Sequence, residues 1–301
     1  MQTTDTVAMI RPAAFGFNEQ TATNNFFQDS TYKNNKTLHE HAVHQFDVMV
    51  ELLRANAIEV LVLNDTPVPQ KPDAIFPNSW ISCNNNVITI FPMMAPIRRI
   101  EKRLDIVQAI QEKTGIYNLQ DWSIYEEENI FLEGNGSMVI DHQSKLVYAS
   151  ISPRTNEKLV KQYCAQNNYV PITFTSKDED DNIIHYTSLM MCLGTSFAII
   201  CLEAIKKPIE RKIILHRLKQ SGHEVIDISY EQMNLFAAHI LELVNKKGEP
   251  ILVMSTTAHD AFTLPQIEML QKHATIITPN ISYIEKAAGG SVRSMMSELF
   301  Y

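Results

Sequence analysis

Four short stretches of this 301-residue chain hold side chains able to do chemistry. Pro72–Trp80 carries Asp73 and Asn78 in one extended run, and Asn129–Ser137 sets Glu133 between an apolar run and Gly134. Ile184–Met191 carries His185 and Tyr186, and Ala287–Phe300 carries the pair Gly289-Gly290 ahead of Ser294. Buried carboxylates hold cationic N–H groups through charge-assisted hydrogen bonds. A histidine moves protons near neutral pH, and a hydroxyl beside a base can act as a nucleophile. Two glycines let the backbone turn tightly and present such a group. Each stretch also has a plain reading: Asp73 caps a turn, Glu133 ends a strand, His185 is a surface residue, Tyr186 is core, and the glycine pair is a turn.

The rest of the composition narrows the class. The chain is 45% hydrophobic and 20% charged, as expected for a globular protein with a substantial core. Its net charge of -8 argues against nucleic-acid or anionic-membrane partners. The first residues lack a signal peptide's basic and apolar regions, and the longest apolar run, near Phe197–Leu202, is too short to span a bilayer. Cys83, Cys164, Cys192 and Cys201 show no CxxC spacing and are expected to be free thiols in a cytoplasmic protein. His39, His41 and His44 lie off the apolar stripe of their helix, without partners at ligand spacing, so no metal site and no cofactor are expected.

The elements that must position these residues repeat. Ala74–Cys83, Ser137–Ile140 and Leu189–Cys192 are extended, and each is followed by a turn, a returning strand and a helix. The turns begin at residues 84, 141 and 193, which marks an internal structural repeat. A first strand at Val7–Ile10, a helix from Leu38 to Ala55 and a strand at Ile58–Leu63 precede it. Further helices are expected at about Ile97–Lys113, from Pro153 with Ser152 as cap, near Ile209–Lys219, and from Ser229 through Val244 behind a capping box with Gln232. About five such units in one domain, residues 1–301, predict a ring of small α/β modules with loops converging on a central hole. A doubly wound sheet is the competing architecture, but no strand–GxGxxG–helix supports it. The acidic run Asp178–Asp181 reads as a solvated loop, with a lid as the alternative.

Taken in order, these motifs resemble the pentein superfamily of guanidino-group-modifying proteins, which includes arginine deiminases, dimethylarginine hydrolases and amidinotransferases. The resemblance is nearest to the citrulline-utilisation hydrolases. It is carried by Met9–Pro12, Asn18–Ala22 with Asn24 and Asn25, Pro72–Trp80, Arg98-Arg99, Glu126–Asn129 with Phe131–Gly134, Ser152–Arg154, Met190–Cys192 and Gly289–Glu298. It implies a five-module pseudo-fivefold α/β propeller with a central pocket for an arginine- or citrulline-class amino acid. Asp73 would orient the substrate and Glu133 would pair with a catalytic histidine. Asn78, Asn25, Arg98 and Arg154 fall in binding segments, each arginine being equally an ion-pair partner.

The chain departs from the family pattern twice. Ser294 stands where the family has its cysteine, and Tyr186 stands at the histidine position, with His185 one residue early. Tyrosine is a poor base, with a reference pKa of about 10. In a strand, a one-residue step turns a side chain to the opposite face. The thiol route is therefore impaired on this reading, leaving a protein that binds a small guanidino or ureido amino acid. The alternatives are a C–N hydrolase rewired through Ser294 with His185, or through a displaced thiol at Cys83 or Cys192; an engineered inactivation; and a regulatory partner of an active paralogue. A homodimer is left open.

Overall fold

The computed structural model describes residues 1–301 as fifteen strands in five three-stranded sheets. The strands are β1 (Thr6–Arg11), β2 (Glu59–Asn64), β3 (Ile81–Asn84), β4 (Val87–Ile90), β5 (Leu119–Asp121), β6 (Val139–Asp141), β7 (Leu146–Ser150), β8 (Val170–Phe174), β9 (Met191–Leu193), β10 (Phe197–Ile200), β11 (Glu224–Asp227), β12 (Leu241–Val244), β13 (Pro250–Val253), β14 (Thr275–Ile277) and β15 (Ser297–Glu298). All five sheets share one pattern. A central strand (β1, β4, β7, β10 or β13) pairs antiparallel on one side and parallel on the other. The parallel step needs a long crossover, and a helix supplies it.

Local sequence explains each half of this unit. Asn85 and Asn86 both adopt positive φ, which makes the two-residue turn between β3 and β4. The crossover helices present apolar faces to the sheets. In Leu38–Ala55 these are Ala42, Phe46, Met49, Val50 and Leu53, all buried. The first sheet is the exception in chain order, because its antiparallel partner is β15 from the far end: Val7 pairs with Glu298 and Ala8 with Ser297.

The repeat expected at residues 84, 141 and 193 is present as the turns of the second, third and fourth sheets. Three helix expectations are corrected. Ile97–Lys113 is two helices, Pro96–Arg99 and Leu104–Thr114. Ser152 caps no helix. Its hydroxyl donates to the His185 carbonyl, and the helix starts at Glu157 behind the Asn156 cap. The capping box at Ser229 and Gln232 forms, yet its helix stops after Asn234 and residues 241–244 are strand β12. Phe236, with φ of 64°, breaks that helix. No helix is long and apolar enough to cross a membrane.

Gly134 ties this scaffold to the centre. Its φ is 48°, and a methyl group there would lie 2.5 Å from the Asn78 carbonyl oxygen. Gly134→Ala is expected to cost about 1–3 kcal/mol from backbone strain alone, with the clash added. Gly115→Ala also sits at positive φ but faces open space, so it isolates the strain. Denaturant unfolding of both variants should show the larger loss at 134, and equal losses would contradict this packing.

Candidate functional site

Ser294 is positioned from both sides. The helix Ser282–Ala288 ends on Gly289 in the left-handed region, with φ of 63°, and the chain re-enters a short helix at Val292–Met295. A side chain at 289 would strike Asn25, and one at 290 would sit 2.9 Å from the Phe76 ring. The glycine pair thus answers a close approach, and the turn beyond it is held by the Ser294 N–H donating to the Ser291 carbonyl.

The partner of Ser294 is His239. Its Nε2 lies 2.7 Å from Ser294 Oγ, and its Nδ1 lies 2.8 Å from the Ser188 carbonyl oxygen. A carbonyl only accepts, so Nδ1 carries the proton and Nε2 accepts from the serine hydroxyl. Burial pushes His239 down to about 4, so its imidazole is neutral at physiological pH. No hydrogen bond joins Ser294 to His185 or Tyr186, so the pairing of Ser294 with His185 is replaced by one with His239. His185 is buried, its ring packed against Phe27 and Tyr186, and burial holds it well below the usual histidine range.

Tyr186 occupies a second network. Its hydroxyl donates to Glu133 Oε2, and burial followed by the Glu133 charge pushes it up to about 12. Glu133 Oε1 accepts the Met94 N–H at 2.8 Å. Arg154 lies 3.7 Å from Glu133, with its guanidinium 5.2 Å from the centre of the Tyr186 ring. Arg154 also donates to Asn24 Oδ1 and to the Thr21 carbonyl.

Asp73 lies apart from that network. Its Oδ2 accepts from Asn18 at 2.7 Å and from Thr21 at 3.3 Å, with Arg98 3.9 Å away. Its Oδ1 is buried without a hydrogen-bond partner. Burial raises its pKa against the pull of Arg98. Arg98 is engaged chiefly with Glu101 and the Phe76 carbonyl.

Asp73, Arg98, Arg154, His185, Tyr186, Asn25 and Ser294 line one cavity together with His239, which the sequence did not single out. Glu133 reaches it through Tyr186. Asn78 is fully buried and bonds to Ser79, outside this lining. Asn25 donates to the Ala288 carbonyl and so braces the loop ahead of Ser294. Cys83 and Cys192 are buried elsewhere, pushed up to about 11 and about 12, and neither lines the cavity. The cavity has water-sized space of about 20 Å³, enough for one water and far below a pocket for an amino acid. The loop around residues 18–28 closes it, through Asn18 on Asp73, Asn24 on Arg154 and Gln28 on the Ala287 carbonyl. The acidic run 178–181 bonds within its own loop and to Asn234 and does not reach the cavity.

The sequence profile described as N,N dimethylarginine dimethylhydrolase, eukaryotic, matches residues 11–301. No curated protein matches the sequence. Among solved structures, the N-terminal domain of ArgZ, an arginine dihydrolase from the ornithine–ammonia cycle in cyanobacteria, is similar in its Cys→Ser mutant bound to substrate: TM-score 0.74, 14% identity, 97% of each chain covered. The same domain bound to product gives TM-score 0.75 at 13% identity, over 98% of this chain and 97% of that one. A Cys→Ser mutant of the dimethylarginine hydrolase DDAH from Pseudomonas aeruginosa, complexed with citrulline, gives 0.68 at 15% identity, over 99% of this chain and 100% of that one. At these identities the structural likeness carries the fold.

The His239 environment predicts a pH signature. The unfolded histidine titrates near 6.5, above its folded value of about 4. The unfolded state therefore binds the proton first, and this group costs stability as pH falls from about 6.5 toward 4. His239→Gln removes the titration. Urea unfolding at pH 7 and about pH 5 should show the wild type losing about 1–2 kcal/mol relative to the variant. A difference that does not change with pH would place His239 in a wetter setting.

Proposed function

The chain belongs to the N,N dimethylarginine dimethylhydrolase family, within the pentein superfamily, and from that premise we propose that it holds a guanidino or ureido amino acid of the arginine–citrulline class in a central pocket. On this reading the five sheets form a pseudo-fivefold propeller within one domain, residues 1–301, with the Asp73–Ser294 cavity on its axis. The observation that supports it is the unpartnered, buried Oδ1 of Asp73, a residue that lines the cavity. Such an atom is costly unless a ligand N–H completes it.

Asp73 then takes the cationic end of the ligand, and Glu133 acts through the Tyr186 hydroxyl. Arg154 releases the loop at Thr21 and Asn24 on opening and is freed to meet the ligand carboxylate. Arg98, fixed by Glu101, partly offsets the burial of Asp73 and favours its ionised form, Asn25 lines the wall, and Asn78 packs behind it. Thiol turnover is impaired, because the nucleophile position holds a hydroxyl and the four thiols are buried. The setting is cytoplasmic.

Calorimetry with arginine, citrulline and ornithine tests the proposal. Arginine should bind tightest, since its guanidinium meets a carboxylate that citrulline's neutral ureido group satisfies less well. Asp73→Asn should weaken arginine about 10–100-fold, the scale of one hydrogen bond to a charged group. Absence of binding to all three would favour a structural or regulatory partner of an active relative.

A further inference from the structure

We infer that Ser294 and His239 form a nucleophile–base pair that opens a C–N bond of a guanidinium held against Asp73; this rests on the pocket reading above. The thiol chemistry suggested by the family resemblance would place a histidine at position 186. Here that position is a tyrosine bonded to Glu133, and the histidine that touches the nucleophile position comes from a different segment, the turn ahead of β12.

Three observations carry the inference. The first is tautomer control. Ser188 occupies Nδ1 through an obligatory acceptor, so the remaining nitrogen is a lone pair directed at Ser294 Oγ, 2.7 Å away. The second is fixation of both members by the backbone. The Arg293 N–H donates to the His239 carbonyl, the His239 N–H donates to the Phe236 carbonyl, and the Ser294 N–H donates to the Ser291 carbonyl. The third is convergence. Ser294, His239 and Asp73 line the same cavity, which has room for one water. Burial at about 4 keeps the imidazole in its accepting form at any physiological pH. No carboxylate orders its far side, so turnover is expected to be slow beside a full triad.

The step balances without any further reagent. Ser294 Oγ bonds to the central guanidinium carbon while its proton passes to His239 Nε2. The C–N bond to a terminal nitrogen breaks, and that nitrogen leaves as ammonia with the proton from His239. Ser294 then carries an O-alkylisouronium. Water adds to the same carbon with His239 as base, the C–Oγ bond breaks, and a ureido product leaves as the serine hydroxyl re-forms. The net reaction is guanidinium plus water to urea-type product plus ammonium.

L-Arginine is the probe, with the full-length protein. Acid quenching during turnover should give a mass increase equal to arginine less ammonia, mapped to Ser294, and citrulline should accumulate above a protein-free blank. Ser294→Ala and His239→Gln should each lower citrulline release by about 10²-fold or more while arginine still binds by calorimetry. The limb that His239 contributes to the pH profile of kcat/KM should lie near 4 and be absent from His239→Gln, beside whatever Asp73 and Glu101, both raised by burial, contribute. Arginine binding with neither adduct nor citrulline overturns the inference and leaves the pocket reading standing. So do variants that release citrulline at the wild-type rate, or an adduct on another residue. No arginine binding at all overturns the pocket reading instead. The adduct measurement on the unmodified protein stands even if a variant fails to fold.

Discussion

The site depends on the pairing of the chain's two ends. β15 lies antiparallel to β1, with Val7 opposite Glu298 and Ala8 opposite Ser297. Ser294 is only three residues upstream of that pairing, so the first strand of the protein sets the height of Ser294. Further bonds lock the same junction. The Leu299 N–H donates to the Thr6 carbonyl, Ser297 Oγ to the Ile81 carbonyl, and Arg293 pairs with Glu298. A side chain on a free tail would wander by ångströms. Here it is fixed by two sheets, because Phe300 also donates to Cys83 at the end of the first hairpin.

Around that anchor the charges are sorted into two buried groups. Glu133, Tyr186 and Arg154 form one, and Asp73, Arg98 and Glu101 the other. In each, a guanidinium lies close to a carboxylate that would be costly to bury alone. The two groups differ in completeness. Glu133 has partners on both oxygens, whereas Asp73 has one oxygen bare. That asymmetry is the basis of the ligand-binding role proposed for Asp73.

The repeat was legible in the sequence because strand–turn–strand–helix units recur, and the turns at 84, 141 and 193 carry their own chemistry, such as the asparagine pair before β4. The acids were legible because Asp73 and Glu133 sit in recognisable motifs. His239 was not. The capping box at Ser229 and Gln232 is genuine, and the apolar residues after it continue a helical period, so local pattern extends the helix through residue 239. What ends it is Phe236 at positive φ, a conformation that propensity disfavours and tertiary packing imposes. The loop that covers the pocket was hidden for a related reason. Its polar residues read as an ordinary surface connection, and only the fold shows Asn18, Asn24 and Asn25 turned inward onto Asp73, Arg154 and the Ala288 carbonyl.

Arg154 binds the covering loop through Asn24 and the Thr21 carbonyl while its other face rests on Tyr186 and Glu133. If the cavity takes a ligand as proposed, that ligand cannot enter a space sized for one water until those bonds part, so capture would be a two-step event in which opening precedes contact. The association rate would then rise with ligand concentration only until it met the opening rate, and level off there. Apparent affinity would be lowered by the fraction of time the loop is shut. The strength of one buried arginine's grip on a side-chain amide and a backbone carbonyl would thus govern how fast a ligand is captured, independently of how well it fits once inside.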